Sequence, residues 1–174
     1  ELVCECVMMM TDSEKFYRKW LGDIADCQDR VSGHVQYTAP YTRCGGGPGG
    51  WGCAIAEVPY TYYRMYGDKS VLEDFLPRTL RYFDYLEAHS EDDLVVSDQK
   101  GEWCLGDWCT PEKIEIPEPF VNNYFYVKTI NRLLEFCRVL GRDDLVPMLE
   151  KRAEIKKAAM VRKYYDPETG DFAK

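Results

Sequence analysis

Three of the four tryptophans stand in stretches with little helical periodicity, beside glycines and carboxylates. Trp51 closes GGGPGGWG (45–52), and Trp103, Asp107 and Trp108 lie in GEWCLGDWC (101–109). Rings beside carboxylates suit a sugar: the aromatic face covers the C–H side of a pyranose while Asp or Glu oxygens accept from its hydroxyls. On this reading Trp51 and Trp108 stack, Trp103 is a further wall and Asp107 a hydroxyl acceptor. Packing offers a second account, in which Trp51 and Trp108 plug the end of a helical stack. A phosphate cradle is disfavoured for 45–52, because Trp-Gly-Cys follows the glycines where that motif needs Gly-Lys-Ser/Thr.

Glycoside hydrolysis needs two carboxylic acids, one to protonate the leaving group and one to activate water or attack. Asp98, Glu102, Asp107, Glu112, Glu115 and Glu118 are the candidates, each of which also reads as a solvated loop charge. His34 and His89 have no Ser or Cys partner in a nucleophile motif. The eight cysteines include no Cys-x-x-Cys pair. They are expected to be reduced thiols, with no metal site and no cofactor.

The elements that hold these residues are helical. Phe16, Trp20, Ile24 and Cys27 share a face at i, i+4, i+8, i+11, with Trp20 assigned to the core. Leu72, Leu76, Leu80, Phe83 and Leu86 repeat the pattern, as do Val127, Ile130, Leu134 and Cys137. Leu145, Met148, Leu149, Ile155 and Ala159 make a further face. Residues 3–10 read as a short helix, with Thr11 or Asp12 capping the next. Residues 51–66 are helical too, with Pro59 kinking that helix or moving its start. Pro77 poses the same problem, Pro147 suits a first turn, and 92–98 is the one strand-like stretch.

YGDKS (66–70) and LGRDD (140–144) are one device: an apolar helix end, a glycine for the left-handed C-cap, then a side chain that starts the next helix. The other two connections, about 29–50 and 90–121, are long. Successive antiparallel helices put their connections at opposite ends, so both long loops belong at one end of the stack and both tight turns at the other.

The 174 residues suffice for one domain with a core. With 45% hydrophobic and 30% charged residues the chain is globular, and a formal charge of −8 repels a phosphate backbone, which argues against nucleic acid. No apolar run reaches the roughly 18 residues of a membrane span.

The stretches FYRKWLGDIADCQ (16–28), GGGPGGWGCAIAEVPYTYYRMYGD (45–68), GEWCLGDW (101–108) and RLLEFCRVLGRDD (132–144), in this order, resemble the catalytic domain of bacterial α-L-rhamnosidases. The resemblance covers essentially the whole chain. It implies an all-α fold, about half of an (α/α)6 barrel of helical hairpins, and inverting hydrolysis of terminal α-L-rhamnose. It implies that Trp51 and Trp103 or Trp108 line the rhamnose pocket, with Asp107 a polar neighbour. The family's general acid segment precedes the part matched here and its general base follows it, so no catalytic residue is assigned and the chain by itself is expected to be inactive. Many members carry Asp where this chain has Cys53, a departure that bears on substrate or strength of binding. Exposed inner faces of a half-barrel would favour self-association. Two alternatives stand: another six-hairpin carbohydrate enzyme, such as an unsaturated-glucuronyl hydrolase or a sugar phosphorylase relative, marked by a basic or phosphate-coordinating cluster near Trp51; or a helical-repeat binding scaffold.

Overall fold

Residues 3–43, 45–96 and 116–172 are described by a computed structural model. Their α-helices run in order α1 (Cys4–Met10), α2 (Glu14–Asp26), α3 (Ala54–Tyr66), α4 (Ser70–Ala88), α5 (Glu118–Leu140) and α6 (Val146–Tyr164). A two-stranded hairpin, β1 (Ser90–Glu91) and β2 (Leu94–Val95), follows α4. Asp92 and Asp93 both take positive φ at its tip, the conformation a two-residue hairpin turn requires. The strand expected within 92–98 is therefore the second arm of this hairpin.

The glycine turns are as the sequence implies. Gly67 and Gly141 cap α3 and α5 in the left-handed conformation at φ 73° and 66°. Asp68 then accepts from the Ser70 N–H at 3.0 Å and from its hydroxyl, and these bonds hold its carboxyl below the usual range. The cap of α2 differs from expectation. Ser13 occupies that position without a side-chain cap bond, and Thr11 closes α1 by donating from Oγ1 to the Val7 carbonyl at 2.7 Å.

Pro59 lies inside α3, and the 3₁₀ turn Gly50–Cys53 precedes that helix. Proline cannot donate to the carbonyl four residues back, here that of Ile55. Thr79 of α4 supplies part of the missing donor: its one hydroxyl proton is shared between Phe75 O at 2.9 Å and Ile55 O at 3.2 Å.

The core joins all six helices and is rich in tyrosine. Tyr62, Tyr82, Tyr85, Tyr126, Phe83 and Phe136 are among its largest buried side chains. The predicted face of α2 is turned by about one position at Phe16 and Trp20, and that of α6 departs at Ile155, whereas Ile24, Leu149 and Ala159 are buried as expected. On α2 the buried residues are Tyr17, Leu21 and Ile24, whereas Phe16 is 64% exposed and meets Tyr17 edge-on. On α6 Ile155 faces outward and Lys156 is buried, its stem packed and its amine held by Ser90 Oγ at 2.8 Å and Glu87 at 3.5 Å.

Helices α3 and α5 lie side by side in the same direction. Gly49, before α3, meets Asn122 in the first turns of α5; one level on, Glu57 meets Lys128 and Arg132, and Arg132 covers the Tyr60 ring. Gly67 and Gly141 consequently share the far end, and the starts of α3 and α5, each preceded by a long connection, share the near end.

Candidate functional site

The near end is built around the hydroxyl of Tyr82, on α4. This hydroxyl accepts from the Gly49 N–H at 2.9 Å and lies 3.4 Å from the Gly49 carbonyl. Burial, and next the Cys53 thiol, push its pKa well above 10.0, so the phenol stays neutral and serves as donor and acceptor. Gly49 has φ 87° and ψ −160°, a region essentially reserved for glycine. A Cβ there would stand 2.8 Å from Asn122 Cα, and one on Gly52 would stand 2.3 Å from Tyr82 Oη. Glycine is thus required where the loop is pressed between α4 and α5, and the sequence reading of a sharp bend acquires a physical cause.

Trp51 sits between these two glycines in the 3₁₀ turn and is half-buried. It is neither sealed in the core nor fully solvated. Cys53, at the end of the turn, is fully buried, with its thiol 3.7 Å from the Phe125 carbonyl of α5. Among the described residues, Cys4, Cys6, Cys27, Cys53 and Cys137 form no disulfide. Among the described residues, no group of three or more His, Cys, Asp or Glu side chains is placed to hold a metal ion.

The two long connections are anchored separately at this end. In the first, buried His34 donates from Nε2 to the Gly46 carbonyl at 2.8 Å and packs against the Tyr85 ring; at the end of α4, His89 bonds the Tyr85 carbonyl through Nδ1 at 2.8 Å. Trp20, assigned to the core, is half-buried against it and also donates from Nε1 to Ala39 O at 2.9 Å, which ties this loop to α2. In the second, Asn123 acts as a strand partner made from one side chain. Its Oδ1 accepts from the Val95 N–H at 3.0 Å and its Nδ2 donates to the Val95 carbonyl at 3.0 Å.

Trp103, Asp107 and Trp108 lie outside the described residues, as do Asp98, Glu102, Glu112 and Glu115. Glu118 is exposed in the first turn of α5, where a negative charge complements the helix N-terminus. Its position has an ordinary electrostatic reason. Sequence reasoning missed Tyr82, Asn122 and Asn123, whose one signal is polar atoms on otherwise apolar helix faces.

The family model of the bacterial alpha-L-rhamnosidase 6 hairpin glycosidase domain matches residues 1–174. An alpha-L-rhamnosidase of Streptomyces avermitilis is 30% identical over 148 residues, covering 84% of this chain. One from Formosa agariphila is 25% identical over 138 residues, covering 71%. The chain spans 14% of the length of each. The crystal structure of the Streptomyces avermitilis enzyme complexed with L-rhamnose superposes with a TM-score of 0.76 at 30% identity, over 90% of this chain and 14% of that one. The alpha-L-rhamnosidase from Dictyoglumus thermophilum gives 0.81 at 26% identity, over 95% and 19%. The fold is that of part of a six-hairpin glycosidase.

Proposed function

Because the chain belongs to the bacterial α-L-rhamnosidase six-hairpin glycosidase family, we propose that it forms part of the sugar-binding wall of an enzyme releasing terminal α-L-rhamnose by inverting hydrolysis. The observation that carries this is half-buried Trp51 on the turn that Gly49, Tyr82 and Asn122 hold in place, at the end of the helices where α3 and α5 begin. A half-buried indole on a rigid turn presents a flat apolar surface at low entropic cost. The match to a relative whose crystal structure holds L-rhamnose supports that sugar as ligand. Trp103 and Trp108 complete the wall, and Asp107 accepts from a hydroxyl.

Inversion needs an acid and a base on opposite faces of the sugar, far enough apart to admit water. We assign both to segments of the family's catalytic domain outside these 174 residues, so this chain positions substrate and does not turn it over.

The test is tryptophan fluorescence during L-rhamnose titration of the family's catalytic domain carrying this chain, with Trp51→Phe as comparison. A saturable change lost in the variant is expected. No change with rhamnose, alongside a response to other sugars or sugar acids, overturns the substrate. Hydrolysis of an aryl α-L-rhamnoside by the 174-residue chain overturns the assignment of catalysis elsewhere.

A further inference from the structure

The first long connection folds on itself against α2 and α4. The Asp29 N–H donates to His34 O at 2.9 Å, the Gly33 N–H returns to Asp29 O at 3.0 Å, and Gln28 bridges to Val35. Farther on, the Tyr37 N–H reaches Gly45 O at 2.9 Å, and the Trp20 indole of α2 holds Ala39 O. On the α4 side, Gln28 donates to Arg78 O at 2.9 Å, and Gly33 lies so close to Arg81 O that an added Cβ would stand 2.4 Å from it. A cleft of about 370 Å³ lies among these turns, and every residue that lines it falls between positions 29 and 45. Its shape is therefore set within one bonded segment, carried by the two helices that flank α3, and not by an edge at which further hairpins would join.

The lining offers acceptors first. Gln36 Oε1 is buried and has no hydrogen-bond partner among the described residues. A shielded acceptor left unmade is costly, and it calls for an O–H or N–H and not for an anion. A hydroxyl both donates and accepts, so it answers this amide in either orientation. Asp29 takes the Ser32 N–H at 2.6 Å, the Ser32 hydroxyl at 2.9 Å and the Val31 N–H at 3.0 Å, all on Oδ1, which leaves Oδ2 as a second acceptor. Arg43 supplies donors, and its charge offsets that of Asp29. Tyr41, 61% exposed, adds one aromatic face.

We propose that this cleft receives the sugar unit next to rhamnose, on the leaving-group side of the substrate, as a neutral hydroxyl-rich ring. Its hydroxyls donate to Gln36 Oε1 and Asp29 Oδ2 and accept from Arg43, while Tyr41 covers one face. The inference rests on the rhamnoside reading above and extends it from the terminal sugar to its neighbour. Gly45 lines the cleft and Trp51 closes the same glycine stretch, so the chain between them spans at most about 20 Å. Positive φ at Gly46, Gly49 and Gly50 shortens that path. One carboxylate against one guanidinium favours an uncharged unit over a uronate or an amino sugar, and the volume lies within the range of small-molecule sites.

The experiment compares three substrates of the family's catalytic domain carrying this chain. They are an α-L-rhamnosyl-D-glucose disaccharide, methyl α-L-rhamnoside, whose leaving group is too small to reach the cleft, and phenyl α-L-rhamnoside, whose leaving group is a ring without hydroxyls. Gln36→Leu should lower the ratio of disaccharide to methyl kcat/KM about fivefold, the loss of one neutral hydrogen bond. Tyr41→Ala, at an exposed side chain, should lower the same ratio about two- to threefold with the helical circular dichroism unchanged, which keeps the test decisive if Gln36→Leu misfolds. An unchanged ratio in both variants overturns the site, since a merely structural role slows every substrate alike. An equal fall in the phenyl-to-methyl ratio of Gln36→Leu overturns recognition through hydroxyls. Wild-type enzyme that cleaves none of the three overturns the rhamnoside reading itself, and this inference falls with it.

Discussion

Replacing Gly49 and Gly50 by alanine, one at a time, separates a glycine the fold needs from one it merely tolerates. At Gly49 the backbone sits at φ 87°, ψ −160°, and an added Cβ would reach Asn122 Cα at 2.8 Å and Oδ1 at 2.9 Å. The dihedral strain is about 1–3 kcal/mol, and the clash with helix backbone, which cannot rotate aside, adds about 1–3 kcal/mol. Gly49→Ala should therefore destabilise by about 2–6 kcal/mol, a large part of an ordinary domain's stability. Gly50 has φ 46° and nothing within 4 Å of an added Cβ, so only the left-handed backbone is penalised, by about 1 kcal/mol. Urea unfolding followed by circular dichroism measures both, with unchanged slopes showing that stability alone has moved. The emission of Trp51 should also shift in Gly49→Ala, because the displaced loop carries the indole. Two variants within about 0.5 kcal/mol of each other would refute the claim that α5 presses on this loop at Gly49.

Thr79→Val should cost about 1–3 kcal/mol by leaving the buried Ile55 carbonyl without a donor; Pro59→Ala added to it restores the helical N–H and should recover part of that loss in a urea double-mutant cycle. Burial holds the Lys156 pKa below its ordinary 10.5, although Glu87 opposes the shift, so the folded chain binds fewer protons than the unfolded one between those two values. Stability should accordingly rise with pH through that window and fall as pH drops through the folded value; Lys156→Met should flatten this slope, read from unfolding midpoints between pH 7 and 10.5, at a cost of no more than about 1 kcal/mol.

What the sequence made legible is what depends on neighbours in the chain. The glycine C-caps at 67 and 141, the short helix before α2, the first-turn proline at 147 and the alternation of short and long connections follow from local rules and are all present. The start of the α2 face and the middle of the α6 face were not legible, because a one-position shift exchanges Phe16 for Tyr17 and Ile155 for Lys156 on nearly equal periodicity, while Leu149 and Ala159 are buried as expected. Pairings between distant segments were least legible. Thr79 rescuing the carbonyl freed by Pro59, Asn123 completing Val95, and Glu57 drawing in Lys128 and Arg132 each join residues at least 24 positions apart, and no local pattern announces them.

Cys53 connects this lesson to the site. Read as a departure from the family's aspartate, it suggests a lost polar contact in the sugar pocket. In the folded chain the side chain at 53 is fully buried, with the Phe125 carbonyl on one side and the neutral phenol of Tyr82 nearby. A carboxylate there would face a carbonyl, which is itself an acceptor, and would lose its hydration, an expensive combination without a cation. A thiol is a weak donor and a small hydrophobe, and both properties fit. The residue at 53 therefore works on the turn that holds Trp51 by packing it against α5. Under the proposed function, hydrogen bonds to the sugar from this chain then fall to the second long connection, which carries Asp107, while the first supplies the aromatic surface. On that division, the first connection is rich in glycine and carries three charged residues, Asp29, Arg30 and Arg43, whereas the second mixes tryptophan with carboxylates.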